Sequence, residues 1–190
     1  MIGYGSQGRA LALNLKDSGY PVIVGLPVKS SSRRRAKQDG MTRVTTAARA
    51  SAQARVICFA VPDHKHATIW RAEVSGAVPD GAALWFLHGL SVHFGQVVPL
   101  DAVDVLMIAP HAPGVAVREQ YLGERSLSAF VAVHNNASGG AMSLARMLAE
   151  GIGIASSRMV ETTFKDEAIG DLFGEQAVLC GGMSALITAG

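Results

Sequence analysis

Gly3, Gly5 and Gly8 in Ile2-Gly3-Tyr4-Gly5-Ser6-Gln7-Gly8 have the Gly-x-Gly-x-x-Gly spacing. In a strand–turn–helix, one such glycine permits the tight turn. Another lets backbone approach a pyrophosphate, and the third lets the helix pack on the strand. The helix then presents free N–H groups to phosphates. An ordinary Gly-rich turn has the same letters, but here a helical pattern and a second apolar strand follow at the right distance. Between Asp17 and Asp39 there is no acid to bond a ribose 2′-hydroxyl; the chain offers Lys29, Ser30, Ser31, Ser32, Arg33, Arg34 and Arg35 instead. Hydroxyls and guanidinium groups suit a 2′-phosphate, which favours NADPH over NADH. Asp171 and Glu175 stand four apart among Leu172, Phe173, Ala177, Val178 and Leu179, so they share one face of an apolar helix. Buried carboxylates need a partner, and Mg²⁺ is a suitable one. A solvated stripe or an arginine-paired acid is the alternative. Of the histidines, His88 and His111 each directly follow an apolar strand, the end at which open α/β sheets place their chemistry. His64, His66, His93 and His134 read as surface or core residues. No zinc-type Cys/His spacing and no Gly-x-Ser-x-Gly elbow occurs.

The elements that must position these residues alternate. Helical patterns at 9–18, 46–53, 69–74 and 138–150 interleave with apolar strands at 22–24, 56–61, 82–87, 103–109 and 129–133. Residues 30–35 read as a polar, basic loop. Such alternation implies βαβ units, hence an α/β fold: a Rossmann-like parallel sheet with flanking helices. From about Ser156 the strand signal stops, and 171–187 reads as one helical segment interrupted at Gly181-Gly182. The division is therefore 1–157 for a cofactor-binding domain and 158–190 for the start of a helical one. Only Met1-Ile2 precede the glycine turn, which ordinarily follows a strand of about five residues, so a start inside that strand is expected.

Composition agrees. The 190 residues are 49% hydrophobic and 17% charged, which excludes a disordered chain. A net charge of +2 gives no reason to expect nucleic acid or an anionic membrane as partner. Cys58 and Cys180 read as buried thiols of a reducing compartment. No signal-peptide pattern and no run of 18 apolar residues occurs, so a cytoplasmic protein without a membrane span is expected.

The sequence resembles ketol-acid reductoisomerase, also called acetohydroxyacid isomeroreductase. The likeness is carried by the segments 2–8, His88-Gly89 with His93-Phe94-Gly95-Gln96, Ala132-Val133-His134 with Ala137-Ser138-Gly139, Glu161-Thr162-Thr163-Phe164, and above all Asp171 to Gly182. The resemblance implies Mg²⁺-promoted alkyl migration in 2-acetolactate or 2-aceto-2-hydroxybutyrate, followed by NADPH reduction to a 2,3-dihydroxy acid in valine, leucine and isoleucine synthesis. It also implies roles. Tyr4, Gly5, Ser6 and Gln7 would hold the pyrophosphate, and Ser30 and Ser32 the 2′-phosphate. Asp63 would lie near the cofactor and Gly114 near its nicotinamide end. His88 would be the active-site histidine, Asp171 would bridge two Mg²⁺ ions, and Glu175 would bind one.

There are departures from the family. Pro27 stands where an arginine is usual, leaving Lys29 or Arg33 to take that contact. The family's Asp-Glu-x-Gln is Asp63-His64-Lys65-His66, and its active-site lysine is His111. An imidazole is shorter than an ammonium stem and mostly neutral at pH 7. Two octahedral ions need more ligands than Asp171 and Glu175, so a fragment without turnover on its own is the favoured expectation. A divergent enzyme and a non-catalytic NADP(H)-binding relative are the alternatives. The apolar helical segment predicts a homo-oligomer.

Overall fold

The computed structural model describes residues 1–179 and 181–190; Cys180 and the side chains of Glu175 and Gln176 lie outside the description. Its sheet is laid out from the middle. Ile2 forms parallel bridges to Gly25 on one side and Phe59 on the other. The short strands β1 (Val24–Gly25) and β2 (Val44–Thr45) extend the first side in parallel. On the other side lie β3 (Val56–Phe59), β4 (Ala83–Phe86), β5 (Asp104–Pro110), β6 (Ala129–Asn135) and β7 (Met159–Glu161), in that order.

Both faces of the sheet are covered, and the strands show it by alternation. Trp85, Leu106 and Ile108 point to one core with Leu11, Leu15 and Leu148. Leu84, Phe86, Val105 and Met107 point to the other with Phe59, Trp70 and Phe164. The first core is roofed by α1 (Ser6–Asp17) and α7 (Ala141–Gly151), beside α6 (Gly114–Leu122). Buried Asn14 ties these three helices together. Its amide donates to Ile152 O at 3.0 Å, and its Oδ1 accepts from Arg118 at 2.9 Å. On the opposite side lie α3 (Ala47–Ser51), a helical run from α4 (His66–Ile69) through Val74, α5 (Leu90–His93) and the start of α8 (Phe164–Leu172).

The fold departs from the expected pattern in several places. β6 runs antiparallel to β5, with Pro110 opposite Ala129. The connecting helix α6 has nine residues, about 13 Å of rise. That is shorter than the seven-residue β5, about 23 Å, so the chain re-enters at the edge it left. β7 adds a parallel strand beyond Ser156, where none was expected. Of residues 30–35, expected as loop, those from Ser32 onward belong to the helix α2 (Ser32–Gln38).

After α8 the helix continues with wider turns over Phe173–Leu179, and α9 (Gly182–Ala189) follows. Phe173, Leu179, Met183, Leu186 and Ile187 are exposed. Phe164–Ala189, 26 residues long, holds an 18-residue window of mean hydropathy 1.3 and so is, by length and composition alone, apolar enough to cross a membrane. Its first turn is docked on the sheet instead, with Phe164 and Ala168 buried.

Candidate functional site

The glycine turn divides its labour physically. Gly3 has φ +102°, and a Cβ there would sit 2.4 Å from Ala60 O, so only glycine fits the turn. A Cβ on Gly8 would lie 2.9 Å from Ala60 Cβ, which lets α1 press onto the sheet. Around Gly5 nothing lies within 4 Å of such an atom, and Gly5 and Ser6 are exposed. The head of the twelve-residue α1 has no side-chain cap and no acid in its first turn. Its unpaired N–H groups and positive dipole end are therefore suited to an anion approaching over Gly5.

Neighbours hold this turn still. Gln7 donates from Nε2 to Ala112 O at 2.7 Å, while its buried Oε1 has no partner. Gly114 lies so close that a Cβ would meet Ser6 O at 2.3 Å. Tyr4 is turned inward and donates to Asp39 Oδ2 at 3.0 Å. The residue is 2% exposed and its hydroxyl is committed to Asp39, so its side chain is not offered to a ligand. Arg9 grips the same carboxylate through two hydrogen bonds at 2.7 and 2.8 Å. The Arg9 bond, against some burial and with help from Tyr4, holds the Asp39 carboxyl below its ordinary range.

Ser30 and Ser32 occupy the turn into α2, where Ser30 Oγ accepts from Ser32 N at 3.3 Å. Ser30, with Lys29, Ser31, Arg34 and Lys37, lines a shallow basic concavity; Ser32 is not part of its lining. Arg33 also borders it, but its guanidinium donates to Leu26 O, Thr45 O and Val44 O at 3.0 to 3.1 Å. It caps the ends of β1 and β2, which corrects the expectation that it was available for a phosphate. Lys29 is left as the candidate for that contact.

The second half of the site lies where β3 and β4 end. Asp63 begins the turn after β3, with its side chain 37% exposed. His88 follows β4. Its Nδ1 meets both Glu167 oxygens, at 2.9 and 2.8 Å, and Gly89 N donates to Glu167 Oε2 at 2.6 Å. Its Nε2 lies 3.6 Å from Asp171 Oδ2. Burial alone would lower the His88 pKa; the Glu167 hydrogen bond and charge, with Asp171 and Asp63 behind them, outweigh it and raise the pKa above the ordinary histidine value. A Cβ on Gly89 would lie 2.1 Å from Phe164 O, so α8 is clamped to this strand end.

The family resemblance put His88 and Asp171 in one site; the structure brings them together and adds Glu167, with the His88 ring between the two carboxylates. Glu167 is four residues from Asp171, the helical spacing that signalled the Asp171/Glu175 pair. Among the described residues no three His, Cys, Asp or Glu side chains cluster as a metal cage. The Glu175 carboxylate lies outside the description. His111 follows β5, exposed, with Nδ1 3.0 Å from Ser128 Oγ and its ring 4.3 Å from Phe130. His66, which sequence left between surface and core, is in the core. Cys58 is a buried free thiol.

Comparison with known proteins agrees with this geometry. Residues 1–158 match the family described as acetohydroxy acid isomeroreductase, NADPH-binding domain. An NADH-preferring ketol-acid reductoisomerase from an uncultured archean superposes with a TM-score of 0.93 at 37% identity, over 100% of this chain and 58% of that one. The chain thus spans less than two thirds of that protein. A semialdehyde dehydrogenase NAD-binding protein from Cupriavidus necator, seen with calcium and NAD, gives 0.80 at 20% identity over 99% of this chain and 70% of its own. A putative oxidoreductase from Jannaschia sp. CCS1 gives 0.80 at 16%, over 99% and 71%. These last two likenesses concern the fold.

Proposed function

The chain belongs to the acetohydroxy acid isomeroreductase family, and from that premise we propose that it supplies the NADP(H)-binding half of a ketol-acid reductoisomerase site. The carrying observation is the uncapped head of α1 beside Gly5, with a basic, hydroxyl-rich concavity at the start of α2 and no acid between Asp17 and Asp39. The pyrophosphate lies on the N–H groups of Ser6 and Gln7, and a 2′-phosphate is met by Ser30, Ser32 and Lys29. Gly114 keeps backbone close at the far end. The bound cofactor supplies the hydride; the chain binds and orients it.

The substrate class is a 2-hydroxy-3-keto acid such as 2-acetolactate or 2-aceto-2-hydroxybutyrate, in branched-chain amino-acid synthesis. His88, held in one rotamer and charged more readily than a free histidine, offers a positioned proton or cation there. His111 stands at the neighbouring strand end. In the family reading Asp171 and Glu175 meet Mg²⁺. Among the described residues the donors do not make a divalent-cation site, and Glu167 is committed to His88 and Gly89. A soluble, cytoplasmic homo-oligomer that covers the exposed apolar residues of α9 completes the reading.

Titration with NADPH and NADH tests it. Tighter binding of NADPH, lost in a Ser30→Ala/Ser32→Ala double variant, is expected. Equal affinity for both would remove the 2′-phosphate assignment. NADPH oxidation with 2-acetolactate, with and without Mg²⁺, separates an enzyme from a non-catalytic binder: only the former gives a magnesium-dependent rate.

A further inference from the structure

Beneath Asp63 lies a small polar network that the proposed function does not use. His66 is 2% exposed, between the rings of Phe59 and Phe86 at 5.4 and 5.9 Å. Its Nε2 is 2.8 Å from Val61 O, and its Nδ1 is 2.7 Å from the Oγ of buried Ser91. Asp63 Oδ1 lies 3.4 Å from that hydroxyl and 3.6 Å from Nδ1.

The donor inventory fixes which bonds coexist. A carbonyl only accepts, so Nε2 must carry a proton to bond Val61. In a neutral ring Nδ1 is then bare and accepts the Ser91 hydroxyl proton. Ser91 has one such proton, so nothing remains for Asp63. When the ring takes a second proton from solvent, Nδ1–H donates to Ser91 Oγ. The hydroxyl proton is then free to turn to Asp63, and the ring's positive charge draws the carboxylate the same way. The charged and titratable groups facing His66 are Asp63 and His64 on the preceding turn and His88 at the end of β4. Burial is the strongest influence on the ring and lowers its pKa, against Val61 and Asp63, so the neutral arrangement prevails near pH 7.

We propose that His66 is a proton-operated positioning residue for Asp63: neutral, it keeps the Ser91 hydroxyl and leaves the Asp63 carboxylate open to the hydroxyls of a cofactor ribose; protonated, it hands that hydroxyl to Asp63 and withdraws the carboxylate. The inference rests on the cofactor reading above. Asp63 suits the role, since it is partly exposed and its turn flanks the glycine loop, with Ala60 against Gly3 and Gly8.

The test uses NADH, which carries no phosphate monoester to titrate. For the unaltered chain, affinity should fall roughly threefold to tenfold as pH is lowered from 8 through the His66 midpoint, the range of one modest hydrogen bond. In Ser91→Ala, affinity at pH 8 should stay within about twofold while the pH dependence shrinks. A purely structural role for Ser91 would instead shift affinity equally above and below that midpoint, and parallel profiles would overturn the proposal. NMR on the unaltered chain gives an independent arm. The His66 ring should be the Nε2–H tautomer at pH 8, and the Asp63 carboxyl shift should move with the same midpoint as the ring. An Nδ1–H tautomer or separate midpoints would overturn the switch. No NADH or NADPH binding at any pH would sink the cofactor reading, and the NMR midpoints would still decide the switch.

Discussion

Replacing Glu167 by Gln removes one charge and almost no volume from the joint between α8 and the sheet. That carboxylate takes three contacts at 2.6 to 2.9 Å, from His88 Nδ1 and Gly89 N, and its side chain is 5% exposed. A hydrogen bond to a charged group contributes about 1.5–3 kcal/mol, and Gln keeps one oxygen for Gly89. The expected loss is about 2–4 kcal/mol at pH 5.5, where the histidine is charged. The folded pKa of His88 lies above its unfolded value. Its contribution is therefore complete below the unfolded value of about 6.5 and fades as pH rises through the folded value. The loss at pH 8 should accordingly be smaller than at pH 5.5. With a urea slope of roughly 2–3 kcal/mol/M for a chain of this size, the midpoint should move by about 1 M at pH 5.5. NMR titration of the same variant should show the His88 pKa falling, because the burial that lowers it remains while its largest counterweight is gone. An unchanged His88 pKa, or a stability loss that grows toward pH 8, would refute this account of the joint.

Gly114→Ala should abolish cofactor binding and lower Tm, since the new Cβ would lie 2.3 Å from Ser6 backbone; a variant that binds NADPH normally would show the loop to be more yielding than its packing indicates. Arg33→Ala should cost about 1–3 kcal/mol in chemical denaturation through the carbonyls it leaves unpaired. Arg34→Ala should leave stability within about 0.5 kcal/mol and weaken NADPH binding in a salt-dependent way. Cys58, its thiol pushed up to about 12 by burial, should resist a thiol reagent at pH 8 until the chain unfolds; rapid labelling of native protein would contradict its placement.

Much of the site was legible because it is local. The Gly3–Gly8 turn, the strand ends before His88 and His111, and the helical spacing around Asp171 are read from neighbours in sequence. What escaped reading is long-range or directional. Glu167 finds His88 across 79 residues, and no local pattern records that. The run 129–133 announces a strand but not its direction; the shortness of α6 decides that. β7 is three residues, none of them buried, too brief to show periodicity. Arg33 and Arg34 carry the same charge side by side, and only the fold shows that one is occupied by carbonyls.

The joining of the sheet through Ile2 has a mechanical consequence. The part of the molecule that carries Ser30 and Ser32 joins the rest of the sheet along a seam at Ile2, where Gly25 N donates to Met1 O, Gly3 N to Gly25 O and Ile2 N to Cys58 O. A dinucleotide lying from Ser6 to Ser30 crosses the seam and ties its two banks together. Part of its binding free energy then appears as cohesion of the protein, and amide hydrogens of β1 and β2 should gain more protection on binding than those of β4 and β5.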